Sequence, residues 1–248
     1  MAHRDEIVAY ANELLEIHRF PEYGTPGLQV LGADEVTKVA CGVSASREVF
    51  ERAAAAGAQL LIVHHGMFWR NEPLVVDRRQ RGRLEALFAA DLTLLAYHLA
   101  LDAHPTLGNN ALLAGGLDIE VERTFAEVGQ GGRLRAPSGI EELVARIREL
   151  VGGREPLVFA HGPERIEQVA ICSGGAGGEL IQAAHEGYDL FLTGEPEEPS
   201  LQTARELGIH FVAAGHDATE RLGVQALARD LAERFGLEWE FVEVENPV

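Results

Sequence analysis

Cysteine is scarce in this 248-residue chain, which has two, Cys41 and Cys172. Each sits inside an apolar, strand-like run, "VACGV" and "VAICS", and no CxxC spacing exists. That excludes a disulfide framework and a zinc knuckle, and leaves two reduced, buried small residues. Positive charge is also short: 21 Lys and Arg stand against 39 Asp and Glu, a formal net charge of −18. A surface this acidic repels a phosphate backbone, so duplex nucleic acid is not an expected partner, whereas cations are. Long apolar runs are missing too. No stretch approaches the roughly 18 apolar residues of a membrane span, and charges interrupt "MAHRDEIVAYANELLEI" where a secretory apolar region would stand. The expectation is a cytoplasmic protein with no membrane partner. Ser/Gly-rich linkers and low-complexity tracts are absent as well.

What is present is an ordinary globular composition, 46% hydrophobic and 24% charged, in a chain long enough for one large domain or two small ones. Ile7, Tyr10, Ala11, Leu14 and Ile17 recur at helical spacing and predict an opening helix that ends near Pro21. "PEYGTPGLQV" then reads as a loop, with "GLQV" a turn into a strand. From there the pattern alternates: strand-like "TKVACGV", helix-like "SREVFERAAAAG", strand-like "QLLIVHH", helix-like "RGRLEALFAAD", strand-like "LTLLAYH". Continuous apolar strands alternating with helices predict an α/β protein with mainly parallel sheets.

The same order returns as "RIEQVAICSGG", "GGELIQAAHEG", "YDLFLTGE", "PSLQTARELG" and "IHFVAAGH". Superposing the series sets Gly57 on Gly187, Leu60 on Leu190, and the pair His64-His65 on Gly194-Glu195. This is an internal duplication of a βαβαβ unit by pattern, with little identity. It predicts two similar lobes, residues 1–120 and 121–248, with an approximate boundary, scope for interleaving, and a cleft between them. Residues from about 121 to 165 add a helix-like "GIEELVARIRELVGG" and antiparallel strands. The chain closes with an amphipathic helix "ATERLGVQALARDLAERFGL" and a strand "EWEFVEV".

In open α/β sheets ligands gather beyond the carboxyl ends of the strands. Here His64 and His65 end one strand, His98 and Asp102 follow another, Glu195 ends a third, and His216 and Glu220 follow a fourth. Imidazole with carboxylate suits zinc, iron, manganese, cobalt or nickel, whereas an all-oxygen set would suit magnesium or calcium. Three histidines and two carboxylates suffice for two ions sharing a bridging carboxylate, a pairing that activates water. Taken singly, each residue has a plainer reading. The double histidine can be one core residue and one exposed neighbour, Asp102 a turn cap, and Glu195 and Glu220 solvated charges favoured by a helix dipole. "SGGAGG", Ser173 to Gly178, either cradles a phosphate or makes a tight turn, and lacks the ending of a P-loop. "GVSAS" around Ser44 lacks the second glycine of a nucleophile elbow. His3, His18, His161, His185 and His210 have no partners at meaningful spacing.

In order, "GLQV", "VHHGMFW", "YHLALDAHPTLGNNALLA", "TGE" and "AGHDATERLG" span residues 27 to 223. Together they resemble the Nif-three-like dinuclear metal-centre family, whose bacterial members are called GTP cyclohydrolase I type 2 homologues. The chain resembles its short form, without the central insert domain. The resemblance implies two divalent ions held by His64, His65, Asp102, His216 and Glu220, with Glu220 as bridge, and a homohexamer built as a trimer of dimers. It implies a metal-dependent hydrolase acting on a small molecule, a purine nucleotide such as GTP being the candidate. His98 and Glu195 stand either as catalytic residues or as residues that orient the ligands. The alternative is a metal-binding or regulatory protein without turnover, since no dedicated guanine-reading motif is present. Asp217 departs from the family pattern, where close relatives often have a second histidine, and so does "EEPSLQTA", where they often carry a histidine before the helix.

Overall fold

The computed structural model describes residues 1–248. The chain divides into two compact units, Met1–Leu101 with Gly223–Glu245, and Asp102–Leu222 with Asn246–Val248. These bounds differ from a single break at 120/121. The physical reason is a long-range pairing: the closing strand Glu238–Phe241 lies parallel to Lys38–Ser44, Glu238 opposite Lys38 and Phe241 opposite Cys41. The chain therefore returns to its first sheet after leaving it.

The first unit is built on a five-stranded sheet in the order Glu238–Phe241, Lys38–Ser44, Leu60–His65, Thr93–Ala96, Gly27–Val30. Its first three pairings are parallel and the last is antiparallel. Gly27–Val30 lies within the segment expected to be a loop. As an edge strand it tolerates the flanking Pro and Gly that argue against a central one. The inner strands Lys38–Ser44, Leu60–His65 and Thr93–Ala96 lack polar alternation because both faces are covered. Val39, Cys41, Leu60, Ile62 and Leu95 pack on one side with Ile7 and Ala11 of helix Arg4–Leu14 and with Val224, Leu227 and Leu231. Ala40, Leu61, Val63 and Leu94 pack on the other with Val49 and Phe50 of helix Arg47–Ala55 and Leu87 of helix Arg78–Ala89. Successive residues of a strand point to opposite faces, so one apolar run feeds two cores. Ser46 and Asp77 start the two covering helices by accepting from the backbone N–H of Val49 and Gln80.

The second unit holds a six-stranded sheet in the order Ile119–Phe125, Gly129–Ser138, Ile166–Ile171, Leu190–Thr193, His210–Ala213, Leu157–Ala160. Its three central strands are parallel and its flanks antiparallel. The core includes Leu113, Ile147, Val169, Ile171, Leu190, Leu192 and Val212, with Ala218 from the first turn of helix His216–Phe235.

The duplication read from the pattern holds to the residue in the first two strands. Val39, Leu60 and Thr93 face one another across the first sheet, and Val169, Leu190 and His210 across the second. Gly57 and Gly187 end the helices before the middle strands at φ +78° and +85°, a left-handed turn that glycine makes without a Cβ clash. No helix is long and apolar enough to cross a membrane.

Candidate metal centre

In the first unit, His64 is buried at the end of strand Leu60–His65 and His65 is half-buried. His64 Nδ1 lies 2.9 Å from the Tyr97 carbonyl oxygen. A carbonyl only accepts, so Nδ1 must carry the proton and a neutral His64 has its lone pair on Nε2. His65 Nδ1 lies 2.9 Å from Ser44 Oγ. Ser44 and His65 are themselves paired across the sheet, so the same ladder that builds the strand positions its last imidazole. Ring nitrogens of His64, His65 and His98 all lie within 4.8 Å of one another.

His98 follows strand Thr93–Ala96 and has its Nδ1 3.5 Å from Glu22 Oε2. Glu22 is buried and accepts from the N–H groups of Leu99 at 3.2 Å and Ala100 at 2.8 Å. Those amides open the short helix Leu99–Asp102, where unpaired N–H groups attract a carboxylate. Sequence reasoning missed Glu22, whose one signal is a lone carboxylate inside the Pro/Gly-rich "FPEYGTP". An isolated bridge between Gly24 and Trp69 joins that loop to the segment after the histidines. Thr25 N–H donates to Phe68 O and Arg70 N–H to Tyr23 O. The bridge brings Trp69 edge-on to His98 at 5.3 Å and Tyr23 to 6.0 Å.

In the second unit, Asp102 is buried and its Oδ1 accepts from Asn109 Nδ2 at 2.8 Å and Ser173 Oγ at 3.2 Å. Asn110 Oδ1 holds the Ser173 N–H at 2.8 Å, so "GNNA" and "SGG" clamp one carboxylate. His216 opens helix His216–Phe235. Its Nδ1 lies 2.6 Å from Glu195 Oε1 and its Nε2 3.2 Å from Glu220 Oε1, one helical turn on. Burial resists charging this imidazole, but hydrogen bonds and charge from Glu220 and Glu195 win and push it up to about 9.

Other polar residues have structural work. Asp217, which is buried, pairs with Arg221 at 2.5 Å one helical turn on; burial raises its pKa, against the pull of Arg221. His104 Nδ1 accepts from the Leu107 N–H at 3.0 Å, and His210 sits between the Gly162 N–H and the Pro163 carbonyl. Ser173 to Gly178 runs from a strand into the turn Gly177–Glu179 and helix Leu180–His185.

The donor set fits a first-row divalent ion. Three imidazoles have Nδ1 engaged: His64 by a carbonyl and His65 by a hydroxyl in the first unit, and His216 by a carboxylate in the second. That outer shell of hydrogen bonds is the arrangement metal-bound histidines ordinarily show. The candidate carboxylate Asp102 is likewise hydrogen-bonded, and Glu220 is buried beside His216. Imidazole donors favour such an ion over a hard cation, which takes oxygen ligands.

Comparison with known proteins bears on the family and the fold. The model of the family Duf34/NIF3 (NGG1p interacting factor 3) matches residues 2–247. The chain is 43% identical over 249 residues to a GTP cyclohydrolase 1 type 2 homolog of Neisseria meningitidis serogroup A, covering 100% of both chains. It is 42% identical over 243 residues to the protein of that name from Escherichia coli K12, covering 98% of each. TTHA1606 from Thermus thermophilus, a solved structure, superposes with a TM-score of 0.92 at 38% identity over 100% of both chains. With a family match running nearly end to end and full-length relatives above 40% identity, the chain belongs to the Duf34/NIF3 family.

Proposed function

We propose that the protein is a dinuclear metal-dependent hydrolase whose ligands are His64, His65, Asp102, His216 and Glu220, with Glu220 bridging two divalent ions of the zinc, iron, manganese, cobalt or nickel group. The observation that carries the reading is the set of Nδ1 anchors: Tyr97 O for His64, Ser44 Oγ for His65 and Glu195 Oε1 for His216. Each hydrogen bond fixes the orientation of its imidazole, as the hydrogen-bond partners of metal-bound histidines do. Two ions in such a site supply an acidified water and charge for a developing oxyanion.

The chain's own residues then divide the remaining work. Glu195 orients His216 through Nδ1. His98, with its Nδ1 facing buried Glu22, is suited to hold or pass a proton at Nε2. Tyr23 and Phe68 are exposed and Trp69 is half-buried around His98, surfaces on which a planar ring can stack. That supports a purine nucleotide such as GTP as the substrate, in keeping with the name carried by the relatives. Assembly into a homohexamer and a cytoplasmic location belong to the same proposal; light scattering and cell fractionation check them.

The test is turnover of nucleotides and phosphoesters by metal-loaded protein. Activity above that of the free metal, abolished in the His64→Ala/Glu220→Ala variant, supports the hydrolase. Tight metal binding with no turnover of any substrate would instead make the protein a metal-binding or regulatory module.

A further inference from the structure

Between strand Ile166–Ile171 and helix Leu180–His185 the backbone passes against His216 and Glu220 at Gly174. Its N–H donates to Thr219 Oγ1 at 3.0 Å, and that hydroxyl donates to the His216 carbonyl at 3.0 Å. Its carbonyl accepts from the N–H groups of Gly194 at 2.9 Å and Glu195 at 3.1 Å, and from Thr193 Oγ1 at 3.1 Å. One residue is thus tied to the helix beside Glu220 and to the strand end that carries Glu195. Four hydrogen bonds leave this backbone little room to retreat.

Residue 174 lies at φ +68°, and a Cβ there would stand 2.1 Å from Glu220 Oε1, 3.1 Å from its Cδ and 3.2 Å from His216 Nε2. The first distance is far inside van der Waals contact. The atom met is the end of a side chain, so the chain need not unfold to accept a methyl group. The carboxylate has to move instead. At neighbouring Gly175 a Cβ would make ordinary contact, 3.4 Å from His216 Cε1.

We propose that Gly174 is a positioning residue of the metal centre: the space left by its missing side chain is where the Glu220 carboxylate and His216 Nε2 meet their ion. The inference rests on the ligand assignment under Proposed function. It predicts that this position tolerates no side chain while metal is bound, although the fold tolerates one.

The test compares Gly174→Ala with Gly175→Ala and with Gly187→Ala. Gly187 shares the left-handed backbone, at φ +85°, and has nothing within 4 Å of a Cβ, so it separates backbone strain from the clash. Each protein is stripped with chelator, reloaded with Zn(II) or Co(II), and measured for metal per chain, for affinity by competition with a chromophoric chelator, and for circular dichroism. Gly174→Ala is expected to keep its dichroism and lose about 10- to 100-fold in affinity, the range seen when metal-site supports are removed, while both controls stay within about twofold of the parent. Gly174→Ala binding metal as the parent does overturns the inference and leaves the ligand assignment standing. A parent protein that takes up no metal overturns the assignment, and the inference with it. If Gly174→Ala fails to fold, Glu220→Ala is added: recovery of a cooperative melt supports the clash, and continued unfolding refutes it.

Discussion

In the first unit the middle strand runs Leu60, Leu61, Ile62, Val63 and then His64-His65. In the second, the strand at the same register runs Leu190, Phe191, Leu192, Thr193 and then Gly194-Glu195. Two copies of one frame thus put different chemistry at one place. In the first copy the middle strand carries the candidate ligands, and its neighbours hold them: Ser44 from the strand before and the Tyr97 carbonyl just after the strand that follows. In the second copy the middle strand ends in the residue that holds, Glu195, and the candidate ligands His216 and Glu220 arrive after the next strand. The two copies share the frame, and under the proposed assignment they exchange the two jobs.

The largest effects should come from breaking that division of labour. His64→Ala and His216→Ala, one ligand from each copy, should each weaken metal binding beyond the range for their holders. Ser44→Ala and Glu195→Gln should cost about 10- to 100-fold. Chelator competition on all four reads the order, and holders that matter as much as ligands would erase the distinction. Next come the frames themselves. Leu60 and Leu190 are both fully buried at matched positions, so Leu60→Ala and Leu190→Ala should each destabilise by about 2–5 kcal/mol in urea or thermal unfolding. A large disparity would show that one copy bears most of the fold. Smaller again are Gly57→Ala and Gly187→Ala, at matched left-handed turns with open space around a Cβ. Each should cost about 1–2 kcal/mol from backbone strain alone, with metal content unchanged.

The smallest expected effect concerns the thiols. Burial pushes Cys41 well above the ordinary thiol range, and burial reinforced by Asp102, Glu179 and Glu220 pushes Cys172 up to about 12. The reactive thiolate is therefore almost absent at about pH 8. Alkylation of the native protein should be very slow, and denaturation should release two thiols per chain. Rapid labelling of one cysteine in the folded state would show that its copy opens more readily.

The frame was largely legible because it rests on local patterns: apolar runs, helical spacing and the glycines that end the helices before the two middle strands. The ends of those runs also located His64, His65, His98, Asp102, Glu195, His216 and Glu220. What stayed hidden depends on distance along the chain. Glu22 reaches the amides of Leu99 and Ala100, 77 and 78 residues on, from a loop whose composition announces only a turn. The strand Glu238–Phe241 joins Lys38–Ser44 across nearly the whole sequence, so no local signal could set the division at Leu101 and Gly223. Gly174 looked like one glycine among four in "SGGAGG". Its significance is a missing atom, and it becomes visible only when the neighbours of that atom are known.

The Tyr97 carbonyl that holds His64 has a consequence for inheritance. Ser44 and Glu195 are encoded side chains, so a single codon change can delete either anchor. A main-chain oxygen is supplied by whatever amino acid occupies position 97, and no substitution there removes it. Of the three proposed histidine ligands, one therefore has an orientation that mutation of its partner cannot tune, and the other two are open to adjustment by selection or by design.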